Sequence, residues 1–200
     1  MFLLSDNTAM SLNALLEVQN LQVDFDIPGA SLAIDIAIPP GLTAVTGGER
    51  VGKTSLLRAL SRPAVTQSDH WRGGSAAWLD LSLPDFHQEC AHEIWATLSV
   101  PNWDESFRSH LIDAWEMAPH LDKPVFMLSK GHRRKVALVG LLAGNHAITC
   151  LDMPYAALDM RSIGALRALL SEVAHHPSRA WIIADYEADD RLPWKQIIQL

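Results

Sequence analysis

An α/β domain built around a phosphate-binding loop is the fold class the sequence predicts, and three observations predict it. Gly47-Gly48-Glu49-Arg50-Val51-Gly52-Lys53-Thr54 fits G-x-x-x-x-G-K-[ST] without a mismatch. That loop follows a short apolar run, Leu42–Thr46, and opens a helical run, Thr54–Leu60, which is the first unit of an α/β sheet. From residue 128 onward, helical and strand-like runs alternate to the end of the sequence. The sheet is expected to be mixed, with antiparallel leading strands and a helical subdomain inserted in the α/β core.

Each element has its own signal. Residues 1–13 are weakly patterned and read as a loose leader. LEVQNLQVDFD and SLAIDIAIP alternate apolar and polar side chains at period two, with Pro28-Gly29 between them, which predicts a hairpin. Pro39-Pro40-Gly41 breaks the chain before the strand that feeds the loop. The stretch 64–127 reads as mostly helical, with one strand over Ser75–Leu81 and helices over Phe86–Leu98 and Phe107–Met117, punctuated by Pro84, Pro101, Pro119 and Pro124. Then follow a helix over Arg133–Ala143, a buried strand over Ala147–Leu151, a helix over Arg161–Ala174, and strands over Ala180–Ala184 and Gln196–Leu200. No internal repeat or low-complexity tract is present.

Composition excludes several classes. Two hundred residues suit one domain, 1–200, with the helical subdomain at about 84–143. Sixteen basic against 23 acidic residues give a charge of −7, which argues against a nucleic-acid binder because phosphate contacts need a basic surface. At 48% hydrophobic and 20% charged, the chain can bury a core and is not disordered. Cys90 and Cys150 are too few for a disulfide scaffold or a four-cysteine zinc site, and Cys150 in an apolar run reads as a buried free thiol. The longest apolar stretch, Val136–Gly144, is far below the roughly 20 residues of a spanning helix. A reduced, cytoplasmic location is expected.

The residue types of the loop each have a chemical role. Glycines let the backbone turn its N–H groups inward as an anion nest, and the helix that follows adds its positive end. Lys53 reaches β- and γ-phosphates in such a loop, and the Thr54 hydroxyl ligates Mg²⁺. The buried strand 147–151 ends in Asp152, where a carboxylate can hold the metal's hydration shell. Next stands Met153, whose thioether can neither orient a water nor take its proton.

Leu128-Ser129-Lys130-Gly131-His132, the basic run Arg133-Arg134-Lys135, LDMP at 151–154 and Ala157-Leu158-Asp159 resemble, in order and spacing, the ATP-binding-cassette (ABC) ATPases. That family has an LSGGQ signature, a strand ending Asp-Glu-Pro and a loop ending Leu-Asp. The resemblance covers Leu16–Leu200, and the short length with LSKGHRRKVALVGLL is most similar to the ATP subunit of haem-exporter (cytochrome c maturation) type. It implies a P-loop NTPase fold of ABC type and the cofactors ATP and Mg²⁺. The nucleotide would be held by Gly47, Gly48, Glu49, Arg50, Val51, Gly52, Lys53, Thr54 and Ser55, and Mg²⁺ by Thr54 and Asp152, partly through water. It further implies a dimer in which Ser129, Lys130, Gly131, His132 and Asp159 meet the partner cassette and its ATP. A separate membrane permease would place the chain at the inner face of the cell membrane. Phe25 falls where the family stacks an aromatic on adenine, and it reads equally well as a core strand residue.

The departures from the family concern turnover. Its catalytic glutamate falls at Met153, its switch histidine at or near Asp185, and its Q-loop glutamine at Asp80 or a neighbour. Lys130 and His132 replace a glycine and the glutamine of the signature. General acid–base help is typically worth about 10²–10⁴ in rate, so weak or absent hydrolysis is expected from a chain that still binds ATP. The alternative is a nucleotide-sensing regulatory or assembly subunit in which ATP drives association.

Other constellations are weaker. His87-x-x-Cys90-x-His92 does not converge on one helix face, because i and i+5 point apart. Trp95, Trp103 and Trp115 read as core by default, or as docking anchors if exposed. Nine histidines offer titratable charge, and nothing in the sequence gives any of them a switching role.

Overall fold

The structure is a computed structural model, and it describes residues 14–25, 31–62, 70–74, 76–98 and 103–200. The leader and the Pro28-Gly29 turn lie outside the described residues. Strands β1 (Leu16–Asp24) and β2 (Ser31–Ile38) pair antiparallel, as the alternation predicts. The apolar residues of β1 are Leu16, Val18, Leu21 and Val23, which breaks period two between 18 and 21. A register shift between Val18 and Leu21 accounts for this, with Asn20 at φ 53° and its N–H on Asp35 Oδ1 at 2.8 Å. The extra residue returns Leu21 and Val23 to the buried face.

Strand β3 (Gly41–Thr46) leads through the loop into helix α1 (Lys53–Ser61). Strand β4 (His70–Gly73), in a stretch expected to be mostly helical, pairs with the other edge of β1 and completes a three-stranded antiparallel sheet in the order β2-β1-β4. Helices α2 (Ala91–Thr97), α3 (Glu105–Ala114) and α4 (Lys130–Ala143) follow, then β5 (Ile148–Asp152), α5 (Met160–Val173), β6 (Ala180–Asp185) and β7 (Gln196–Gln199). The second sheet is parallel, in the order β5-β6-β3-β7.

Two expected elements differ. The strand expected over Ser75–Leu81 is reduced, among its described residues, to a bridge of Ala77 to Thr149, because the Ala76 N–H turns to the Leu60 carbonyl. The helix expected over Phe86–Leu98 starts only at Ala91. Val125 and Phe126 donate backbone N–H groups to the carbonyls of Glu89 and His87, so a long-range pairing takes the groups a helix would use.

Strands β3, β5 and β6 of the parallel sheet are buried on both faces, which explains why they read as unbroken apolar runs. Alternate residues serve two cores. Ile148, Cys150, Ile182 and Ala184 pack with Leu56, Leu57 and Leu60 of α1 and with β1. Leu151, Trp181 and Ile183 face the other way, into α4, α5 and the Trp95–Trp115 cluster. Cys150 is fully buried and free, and burial pushes its thiol far above the ordinary range. This layering brings the carboxyl ends of β3, β5 and β6 to one edge, where the loop sits.

Candidate functional site

The phosphate loop leaves β3 at Thr46 and enters α1 at Lys53 through Gly52, whose φ of +95° is left-handed backbone that a side chain would strain. A Cβ there would also stand 2.6 Å from the Phe25 ring. Half-buried Phe25 therefore closes over the helix-entry glycine, beside the loop. Arg50 turns the loop with φ 60°. Gly48, Glu49 and Arg50 are exposed, while Val51 and Ser55 are half-buried.

Lys53 is only 8% exposed. Its Nζ donates to the Gly47 carbonyl at 2.8 Å and to the Gly48 carbonyl, and it lies 4.9 Å from the centre of the Tyr186 ring. The ammonium is thus held inside the loop it would serve, a place for multivalent anionic oxygen.

One residue later, the Thr54 hydroxyl donates to Asp152 Oδ2 at 2.7 Å. That bond ties the first turn of α1 to the end of β5. Burial raises the Asp152 carboxyl above the usual range, against the Thr54 hydrogen bond and the charges of Arg134 and Lys53, and the nearby Asp80 raises it further. Two hard oxygens, one on a partly desolvated carboxylate, suit a small divalent cation such as Mg²⁺. The Arg134 guanidinium anchors the same strand end by donating to the Asp152 carbonyl at 2.7 Å.

Met153 follows at φ 43°, its N–H on the Ala184 carbonyl at 2.8 Å. The half-buried thioether shares with Asp80 and Asp152 a cavity of about 500 Å³, whose other wall carries Lys130, Arg133 and Arg134. Asp80 Oδ1 accepts from the Ser82 N–H and hydroxyl, at 2.9 and 2.6 Å.

At the end of β6 the Asp185 carboxylate accepts from the Tyr186 N–H at 2.8 Å, folding onto its own turn. The residue that reaches the loop is Tyr186. Its carbonyl accepts the Gly47 N–H at 3.3 Å, and its hydroxyl donates to Glu49 Oε1 at 3.2 Å, which raises the phenol's titration above its ordinary value through the carboxylate's charge. Sequence reasoning passed over Tyr186. The available signal was its place, immediately beyond the carboxyl end of a buried strand that neighbours the loop strand.

The serine-and-glycine segment forms a separate group. Ser129 caps α4, its Oγ accepting the His132 N–H at 3.2 Å, and exposed Lys130 is the first helical residue. Gly131 packs against the turn that follows Met153: a Cβ on it would meet the Ala157 carbonyl oxygen at 2.6 Å. Asp159 caps α5 through the Ser162 N–H at 2.8 Å and pairs with Lys135 Nζ at 2.9 Å. The Ser162 N–H and then Lys135 hold its carboxyl well below the usual range. Among the described residues no hydrogen bond joins Ser129, Lys130, Gly131 or His132 to the phosphate loop.

No family model matches the sequence. The chain is 34% identical over 145 residues to the cytochrome c biogenesis ATP-binding export protein CcmA of Zymomonas mobilis, across 70% of this chain and 62% of that protein. It thus spans less than two thirds of that relative's length. With the protein of the same name from Rhodospirillum rubrum it shares 29% over 192 residues, 86% of this chain and 78% of that one. Among solved structures, an ABC transporter ATP-binding protein from Pyrococcus furiosus superposes with a TM-score of 0.65 at 20% identity, over 92% of this chain and 96% of that one. The ATP-binding cassette MJ1267 does so at 0.62 and 12%, over 90% and 85%. At such identities these structures show the fold.

Proposed function

We propose that the chain is an ATP-binding-cassette ATPase, the ATP-binding subunit of an ABC transporter, one that holds Mg-ATP and hydrolyses it weakly or not at all. The observation that carries the reading is the Thr54–Asp152 contact with Met153 directly after it: a metal-competent pair beside a thioether. Lys53 and the backbone N–H groups of residues 48–52 would take the phosphates, and Thr54 and Asp152 the Mg²⁺, which when bound neutralises phosphate charge. Asp152 accepts a hydrogen bond and holds the cation's shell. No carboxylate stands at position 153 to draw a proton from an attacking water.

Ser129 and Gly131 at the start of α4 would meet the nucleotide of a second cassette, completing two composite sites. The names of the relatives support a role for the proposed transporter in cytochrome c biogenesis, and a separately encoded permease would supply the membrane path. Among the described residues no helix is long and apolar enough to cross a membrane. Calorimetry with Mg-ATP on wild type and Lys53→Ala, with phosphate release measured in parallel, tests the reading. Binding that Lys53→Ala abolishes, with turnover far below about 1 s⁻¹, supports it. Absence of binding, or turnover of an ordinary ATPase, overturns it.

A further inference from the structure

His120, at the end of the turn Ala118–His120, lies against His132 in the first turn of α4, with ring centroids 3.9 Å apart and planes inclined by 41°. The residues are twelve apart in sequence and nothing local requires the contact. Lys123 Nζ, which can only donate, stands 3.2 Å from His120 Nδ1, so while that bond stands the nitrogen is an acceptor. Ser129 Oγ accepts the His132 backbone N–H and lies 2.8 Å from His132 Nδ1. A hydroxyl has one proton, and with His132 neutral and protonated on Nε2 that proton is committed to Nδ1. Ser129 then has none to offer a ligand.

We propose that His132 is a positioning residue for Ser129. While the ring is neutral it holds the hydroxyl proton inward. When the ring is protonated, Nδ1–H donates to Oγ and the hydroxyl proton turns outward, toward an anionic phosphate oxygen. The proton comes from solvent and stays on the ring, so nothing else changes hands. The inference rests on the reading that Ser129 faces the nucleotide of a second cassette.

The groups facing the ring set the sign. Burial, His120, Lys135 and Lys123 disfavour the charged ring and Asp159 favours it, and both histidines are held below the ordinary histidine value. Exposed Lys130 and half-buried Arg133 add positive charge on the same helix, and neither has an ion-pair partner among the described residues. His132 is therefore neutral at pH 7 in the free chain. A phosphate arriving at Ser129 brings the negative charge the cluster lacks and draws a proton onto the ring. Association through this face takes up a proton and strengthens as pH falls, by at most about tenfold per pH unit for one proton.

The test is self-association of the full chain with a slowly hydrolysed Mg-ATP analogue, read by sedimentation from pH 7.5 to 6.0, with nucleotide binding measured at each pH. The expected result is a dimer constant that rises roughly fivefold or more on acidification in wild type and stays level in His132→Gln. Protonation of the nucleotide itself affects both proteins alike. His120→Ala moves the wild-type midpoint toward higher pH, because it removes a neighbour that opposes the charge. A wild-type constant that does not change with pH, or an equal slope in His132→Gln, overturns the inference and leaves pairing of cassettes intact. Nucleotide that binds without driving association at any pH overturns both.

Discussion

The Thr54 hydroxyl donates to Asp152 Oδ2 at 2.7 Å, so residues 98 positions apart share one proton at the meeting of α1 and β5. This contact turns a sequence motif and a strand end into one site, and four expectations follow from it and its surroundings.

Asp152→Asn keeps an oxygen for the Thr54 hydroxyl and removes a partly buried charge. The raised carboxyl means that ionisation costs stability above its folded titration point, a cost that fades as pH falls through it. Urea unfolding of the nucleotide-free variant at pH 7 should show stability equal to wild type or greater by about 1 kcal/mol at most. Titration of ATP with and without Mg²⁺ should show that the metal no longer helps.

Met153→Glu places a carboxylate beside the metal-competent pair. Position 153 already holds a Cβ-bearing residue at φ 43°, so the change adds no new backbone strain. Phosphate release should rise by about 10²-fold, the lower end of what an acid–base group gives, because Asp80 and Asp185 are both engaged with their own turns. Unchanged release with intact ATP binding would place the deficit elsewhere.

Gly131→Ala drives a methyl group to 2.6 Å from the Ala157 carbonyl oxygen, a backbone atom that moves only with its turn. Overpacking of this kind should cost about 1–3 kcal/mol in chemical denaturation, despite alanine's better helix propensity. Lys130→Ala, at an exposed neighbouring position, serves as the control with little change.

Asp159→Ala removes the cap of α5 and the partner of buried Lys135. The folded carboxyl lies below its unfolded value, so its stabilisation is complete above about pH 4 and is lost as pH falls through the folded titration point. The variant should be less stable than wild type by about 1 kcal/mol at pH 7, with the difference closing in strong acid. Thermal unfolding across pH would register a constant gap as evidence against this account.

The phosphate loop was legible because its chemistry is contiguous: eight residues in a row, flanked by their own strand and helix. Asp152 was legible for a related reason, since an apolar run that ends in a carboxylate announces a buried strand opening at a site. The β1 bulge was half legible. The alternation gave the strand, and only pairing with β2 explains why Leu21 follows Val18 onto the same face.

What lay beyond local pattern was decided by contacts between distant segments. Backbone groups of 87–89 serve 125–126 instead of a helix, and of the described residues 76–81 only Ala77 bridges to Thr149, because those partners exist only in the folded chain. Tyr186 rather than Asp185 faces Lys53, because the carboxylate closes on the next N–H and leaves the aromatic ring to span the loop. His120 reaches His132, and Gly131 reaches Ala157, through packing that no short-range signal encodes. The sequence by itself determined the elements whose hydrogen bonds and apolar periods close locally, together with the glycine-rich loop motif between its strand and helix. Tertiary structure decided which side chains meet at that loop, since proximity across the sheet edge depends on strand order and helix packing rather than on neighbours along the chain.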